Sequence, residues 1–372
     1  MNDLIPPLVS EGQILAEVNG CLGLITLNRP QALNALSLGM VRDMTTLLLH
    51  WASRPEIQAV AVLGAGREGK APAFCAGGDI RFFHQAAHAG DSALGDFFTE
   101  EYRLNHLIHA YPKPYIALMD GIVMGGGMGI SQGAKLRVLS ERSKLAMPET
   151  AIGLFPDVGG GYFLAQCPGH VGEWLALTGQ TIAAGDAIEW GLGDVFVPGA
   201  QWADLVAALK SSPQPSAEHV VATVMERADL APASDPKAAA ERIDRHFGEA
   251  SLDRIMASLA AAGDDWSHQT LELLQHRSPT MMAVTLELVR RGRRLSLADD
   301  LRLERDLVHH CFHLRGGADR SETVEGIRAL AVDKDHAPRW RPASVAEVDA
   351  AEVAAFFISP WAPQAHPLRD LK

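Results

Sequence analysis

Met147-Pro148-Glu149-Thr150-Ala151-Ile152-Gly153-Leu154-Phe155-Pro156-Asp157-Val158-Gly159-Gly160-Gly161 places carboxylates at 149 and 157, each directly after a proline, and runs them into three glycines. A proline fixes its own φ, so each acid leaves the backbone in a preset direction. Ile152, Leu154 and Phe155 lie between the acids. Apolar filling of that kind excludes water and makes both charges expensive. Acids held in an apolar loop suit general acid/base or nucleophilic work. Read alone, the stretch also fits helix-start acids that complement a macrodipole.

Two glycine-rich turns precede it. Phe74-Cys75-Ala76-Gly77-Gly78-Asp79-Ile80 leaves a strand and enters a helix, and so does Met124-Gly125-Gly126-Gly127-Met128-Gly129. Glycines at a helix start let backbone N–H groups come close to a ligand. Neither turn has the Lys-Ser/Thr of a P-loop or a clean G-x-G-x-x-G after a first strand. Each glycine run alone could serve close packing. Two such turns in one core also suit one N–H from each converging on an oxyanion, where losing a donor costs about 2.7–4 kcal/mol. In Glu100-Glu101-Tyr102, helical spacing over 94–111 puts Glu101 on the stripe of Leu94, Phe97, Phe98, Leu104 and Ile108. An inward acid needs a task or a partner, so a buried ion pair is the alternative. Glu100 falls beside Asp96 and Arg103, on the solvated side.

Alternating apolar residues over 13–18 and 21–27, around Asn19-Gly20, predict a hairpin. Ser37 caps a helix reaching about 54. Strands follow at 57–63, 115–119, 135–139 and 144–146, with helices over 80–89 and 94–111. The alternation predicts an α/β core over 1–198. Beyond 198 the strand signals vanish. Helical spacing over 203–209, 220–228, 252–262, 268–276, 281–290 and 298–312 predicts a mainly helical region at 199–372, punctuated by Pro213, Pro215, Pro232 and Pro236.

The 372 residues are 47% hydrophobic, which suits a sizeable core, and carry a formal charge of −12. That charge argues against nucleic acid as a partner. Residues 1–12 show no export leader, and no stretch is long enough to span a bilayer, so no membrane partner is expected. Cys21, Cys75, Cys167 and Cys311 have no C-x-x-C spacing. Reduced thiols in a cytoplasmic protein are the expectation. His84 and His88 share a helix face without an acidic partner of the H-E-x-x-H kind, so no metal site is expected.

Taken together, Leu27-Asn28-Arg29-Pro30 with Ala32-Leu33-Asn34-Ala35-Leu36, Phe74 to Asp79, Gly121-Ile122-Val123-Met124-Gly125-Gly126-Gly127 and the acid pair resemble the crotonase (enoyl-CoA hydratase/isomerase) superfamily over most of the chain. The resemblance implies a ββα spiral that binds acyl-CoA, followed by the helical C-terminal region. It implies that the N–H groups of Gly78 and Gly126 hold the thioester oxygen. Glu101, Gly126, Glu149 and Asp157 match positions that contact substrate in the thioester-hydrolysing branch. Hydratases of this superfamily carry a Glu shortly after the glycine triplet, where this chain has Gly129, and Pro-Gly where it has Pro156-Asp157.

The resemblance therefore implies hydrolysis of a branched C4 3-hydroxyacyl-CoA from valine breakdown, with 3-hydroxypropionyl-CoA as a second substrate. Another enoyl-CoA hydratase or isomerase reaction is the alternative. Glu149 attacks the carbonyl or activates water. Asp157 orients the 3-hydroxyl, with Glu101 supporting that polar end. No cofactor is expected, because CoA arrives with the substrate. Arg29 and the loop 64–70 are implied neighbours of the CoA phosphates. Superfamily members commonly trimerise, so a homo-oligomer is possible. A non-catalytic RNA-binding role fits neither the charge of −12 nor the retained acids.

Overall fold

The computed structural model describes residues 4–67, 69–70, 72–211, 216–232 and 236–372. Pro213, Pro215 and residue 68 of the basic loop lie outside the described residues, as does the side chain of Pro236. The chain forms two compact units, each assembled from separate segments. The first comprises Met1–Gly78, Arg103–Leu145 and Ile182–Ser234; the second comprises Asp79–Tyr102, Ala146–Thr181 and Asp235–Lys372.

The first unit is built on strands β1 (Ile14–Asn19), β2 (Leu22–Leu27), β3 (Ala59–Gly64), β5 (Tyr115–Met119), β7 (Leu136–Leu139) and β9 (Val195–Phe196). They form one sheet in the order β1-β2-β3-β5-β7-β9. The expected hairpin is present: β1 and β2 pair antiparallel, Asn19 opposite Leu22. The turn is Gly20-Cys21, one residue beyond the expected pair, because Gly20 takes the left-handed φ of 60°. The remaining pairings are parallel. Parallel strands covered on both faces need apolar residues throughout, and all of Tyr115–Met119 is buried.

One face of this sheet carries Leu22, Leu24, Ala59, Ala61, Ile116, Leu118 and Val138, which pack with Leu205, Leu209, Val220 and Val224. Those last four come from helices Trp202–Lys210 and Ala217–Met225. The compact units therefore do not divide at 198. Two helices of the expected C-terminal region complete the first unit, since their apolar stripes cover its sheet. The other face takes helix Leu38–Ala52, whose N-cap Ser37 accepts from Met40 N–H. There the Trp51 ring lies where a Cβ on Gly23 would stand, 2.6 Å away.

A second sheet joins β4 (Ala73–Cys75), β6 (Ile122–Met124) and β8 (Lys144–Ala146) in the order β4-β6-β8. Strands β4 and β6 run parallel. Among the described residues, no strand follows Phe196. Helices Leu252–Ala262, Asp265–Gln275, Pro279–Gly292 and Leu297–His313 lie near the expected spans. Helix Pro236–Phe247 was not expected; Pro236 opens it, at the first-turn position where a missing N–H costs nothing.

Candidate active site

The first unit brings the two glycine turns together through strand topology. Strands β4 and β6 are parallel neighbours, so the turns that follow them emerge at the same edge. A Cβ on Gly77 would stand 3.5 Å from Gly126 N and 3.4 Å from the Met124 carbonyl, and Gly77 has φ 105°. The space would admit a Cβ, so it is the left-handed φ that calls for glycine there. Among the described residues, neither Gly78 N–H nor Gly126 N–H donates to a backbone carbonyl outside the regular elements. Gly126 opens helix Gly126–Gln132, whose first N–H groups have no intrahelical acceptor. The unit thus holds paired donors at one strand edge.

Asn34 ties that edge down. It is fully buried, and its Nδ2 donates to the carbonyls of Ala73 at 2.8 Å and Ala65 at 3.1 Å. The Leu36 N–H donates to the Gly77 carbonyl at 2.8 Å. The Arg29 guanidinium donates to the Ala35 carbonyl at 3.2 Å. Arg29 therefore has a local structural partner within the motif that contains it.

The second unit brings the acids together. Glu101, on helix Ala93–His109, is 2% exposed, while Glu100 is only partly buried. Glu149 starts the 3-10 turn Glu149–Ile152, which Gly153 closes at φ 66°. A Cβ on Gly153 would meet the Glu322 carbonyl at 2.3 Å, and Thr323 Oγ1 donates to the Gly153 carbonyl. The turn carrying Glu149 is thus pressed against helix Glu322–Ile327. Glu149 and Asp157 are 6% and 5% exposed. Glu149 Oε2 and Glu101 Oε1 are buried without a donor.

Asp157 Oδ2 accepts from the Tyr102 hydroxyl at 2.7 Å. Burial raises the Glu101 carboxyl well above its ordinary range, and the charges of Asp157 and Glu149 push it further. Burial, then Asp157, does the same to Glu149. Burial also pushes Asp157 up to about 6, against the opposing pull of the Tyr102 hydroxyl and its own backbone N–H. Like charges in a dry site cannot all ionise together, so Asp157 is the first of the three to lose its proton, Glu101 and Glu149 hold theirs longer, and the three titrate as a group. Such a group can give one proton and take another. Tyr102, singled out only as the third letter of Glu-Glu-Tyr, is the residue whose part could not be read from sequence.

The three glycines after Val158 serve a different purpose from the first two turns. Glu304 is fully buried and accepts from Gly159 N–H at 2.7 Å and Gly161 N–H at 3.0 Å; Asp300 accepts from Tyr162 N–H at 2.8 Å. A Cβ on Gly161 would stand 2.3 Å from Asp300 Oδ1. These glycines admit carboxylates of the chain's own helix Leu297–His313. Burial raises Glu304 well above the ordinary carboxylate range, with Asp300 and Asp157 adding to it, and burial pushes Asp300 up to about 7. Asp300 Oδ1 has no donor unless Glu304 carries the proton between them. Val158, also buried, holds a φ of 57° between Asp157 and Gly159, an outlier for a β-branched residue.

His84 and His88 lie with ring centroids 4.6 Å apart. Among the described residues no group of three or more His, Cys, Asp or Glu side chains could hold a metal ion. No helix among them is long and apolar enough to cross a membrane.

Residues 22–357 match the family model described as enoyl-CoA hydratase/isomerase. The chain is 41% identical over 356 residues to the mitochondrial 3-hydroxyisobutyryl-CoA hydrolase of Xenopus laevis, covering 94% of this chain and 90% of that protein. It is 39% identical to the human mitochondrial 3-hydroxyisobutyryl-CoA hydrolase, with 90% and 86% covered. Among solved structures, a carnitinyl-CoA dehydratase from Mycobacterium thermoresistibile superposes with a TM-score of 0.85 at 39% identity, covering 94% of this chain and 97% of that one. An enoyl-CoA hydratase from Rhodobacter sphaeroides 2.4.1 gives 0.83 at 39% identity, covering 94% and 98%.

Proposed function

The chain belongs to the enoyl-CoA hydratase/isomerase family, and from that premise we propose that it hydrolyses 3-hydroxyisobutyryl-CoA to the free hydroxy acid and CoA in valine catabolism. It is an acyl-CoA thioester hydrolase with the crotonase fold. The observation that carries this reading is the buried group Glu101, Glu149 and Asp157, in a chain about 40% identical to hydrolases of that name. 3-Hydroxypropionyl-CoA is proposed as a second substrate, since it keeps the 3-hydroxyl and loses only a branch.

In the proposed mechanism the N–H groups of Gly78 and Gly126 stabilise the thioester oxyanion. Their freedom from other backbone acceptors supports that role. With its proton passed to a neighbouring acid of the group, Glu149 attacks the carbonyl to give a mixed anhydride that water then hydrolyses, or it removes a proton from the attacking water. Asp157 and Glu101 hold the 3-hydroxyl end of the acyl chain. A proton retained among the acids leaves with the CoA thiolate, so water and thioester give acid and thiol in balance. No step requires a metal or redox cofactor. We also propose a reducing, cytoplasmic location, on the ground that Cys21, Cys75, Cys167 and Cys311 are scattered without C-x-x-C spacing.

The two solved structures, a carnitinyl-CoA dehydratase and an enoyl-CoA hydratase by name, favour a second reading, addition of water to an enoyl-CoA. Against it, this chain has Gly129 where the resemblance leads one to expect the first hydratase carboxylate, and helix Gly126–Gln132 contains no acid. A single panel separates the two readings: thiol release from 3-hydroxyisobutyryl-CoA and 3-hydroxypropionyl-CoA, and loss of enoyl absorbance from crotonyl-CoA. The hydrolase reading expects thiol release, with Glu149→Gln and Asp157→Asn each losing about a hundredfold or more in kcat. Wild-type turnover in both variants, or activity confined to crotonyl-CoA, overturns it. A single turnover in labelled water then separates the two roles of Glu149. Label entering the enzyme's carboxylate identifies the nucleophile.

A further inference from the structure

The reaction leaves one fully buried pair of acids unused. Glu304 and Asp300 stand one turn apart on helix Leu297–His313, both fully buried, in an interior where an unpaired charge is costly. Both spend their carboxylates on one short stretch of backbone. Glu304 Oε2 takes Gly159 N–H and Oε1 takes Gly161 N–H, while Asp300 Oδ2 takes Tyr162 N–H. These N–H groups open helix Gly160–Ala165, whose first turn leaves Gly159 and Gly161 N–H without a backbone acceptor, while Tyr162 N–H also donates to the Gly159 carbonyl at 3.1 Å. Immediately before them stand Val158 at φ 57° and Asp157, whose carbonyl accepts from Gly160 N–H at 2.8 Å. A β-branched residue keeps a left-handed φ only where its surroundings over-determine it. Glu304, accepting from Gly159 and Gly161 N–H, constrains the backbone that follows Val158.

We propose that Glu304 is a positioning residue for Asp157: by holding Gly159 and Gly161 it fixes the segment 157–161 so that the Asp157 carboxylate stays on the Tyr102 hydroxyl in a dry interior. This rests on the hydrolase reading of Asp157. The groups facing Glu304 are Asp300 on its own helix, Asp157 on the glycine segment and Tyr102 on helix Ala93–His109. None of them accepts from Gly159 or Gly161 N–H in its place. Loosening the grip lets water reach Asp157 and returns its carboxyl toward the ordinary range, because burial is the main cause of its elevation.

The experiment compares wild type with Glu304→Gln, which keeps the volume but turns one acceptor into a donor. Glu304→Asp serves as a milder variant should the amide fail to fold. The expected result is a roughly hundredfold loss of kcat on 3-hydroxyisobutyryl-CoA, with KM within about threefold. The acid limb of the kcat/KM profile moves to lower pH, and amide exchange in the peptide spanning 156–163 speeds up by about tenfold or more. A purely structural role would leave the limb in place. Unchanged exchange in that peptide overturns the proposal. So does faster exchange with kcat and acid limb as in the wild type. Exchange needs no substrate, so a wild type that releases no thiol would defeat the hydrolase reading while this measurement still judged the grip.

Discussion

The two units hold their polar groups by opposite means. In the first, the donors are backbone N–H groups of Gly78 and Gly126, positioned by the parallel pairing of β4 with β6 and by missing side chains. In the second, the polar atoms belong to side chains of Glu101, Glu149 and Asp157, and burial sets their state of charge. A backbone donor has no titration and tolerates any pH, but it fails if a neighbouring atom is added. A buried carboxyl has no such steric limit, but a proton changes it completely. The same fold therefore carries one half that is sensitive to sterics and one half that is sensitive to pH.

Gly127→Ala should break the first half outright. Its Cβ would stand 2.3 Å from the Cys75 carbonyl, so β4 and helix Gly126–Gln132 must separate. Overpacking of this kind costs about 1–3 kcal/mol. Displacement of the donors costs about a hundredfold in kcat, with the pH profile unchanged in shape. Thermal melting and a pH series of initial rates check both points, and a shifted profile would blur the distinction between the halves.

Tyr102→Phe should sharpen the second half with a smaller effect. The hydroxyl favours the charged form of Asp157, so its loss raises that carboxyl above about 6. A hydrogen bond to a charged group is worth about 1.5–3 kcal/mol, so the acid limb of kcat/KM should climb by roughly one to two pH units. A limb that stays in place would remove Asp157 from the profile.

Asp300→Asn gives the smallest change and is read in stability. The folded carboxyl, pushed up to about 7, lies above its unfolded value of 3.8. The folded state therefore binds the extra proton, and Asp300 stabilises it below the unfolded value and loses that contribution as pH rises through 7. Asparagine keeps an acceptor for Tyr162 N–H and has nothing to lose. The melting temperature of Asp300→Asn relative to wild type should thus gain about 2–4 °C between pH 5 and pH 8. A difference that is flat with pH would contradict a raised Asp300.

Legibility from sequence followed sequence separation and not the division into units. The hairpin, the Ser37 cap, Tyr115–Met119 and the inward Glu101 were readable because each depends on neighbours within a few residues. Helix Pro236–Phe247 was missed because a proline reads as a breaker unless it is known to stand in the first turn. The units interleave because helices Trp202–Lys210 and Ala217–Met225 cover a sheet made far earlier in the chain. Glu304 and Asp300 read only as polar positions on an amphipathic helix. Their partners stand 145 and 138 residues earlier, and no local pattern marks a carboxylate that seeks a distant N–H. Tyr102 was hidden for the same reason, since its contact spans 55 residues.

The packing of Leu205, Leu209, Val220 and Val224 on the six-stranded sheet has a practical outcome for anyone shortening this chain. A truncation at 198, however natural it looks where the last strand ends, would strip the lining from Leu22, Leu24, Ile116 and Leu118. It would leave a flat, greasy plate ready to stick to its own copies. A trimmed version that stays soluble must keep the chain through Met225.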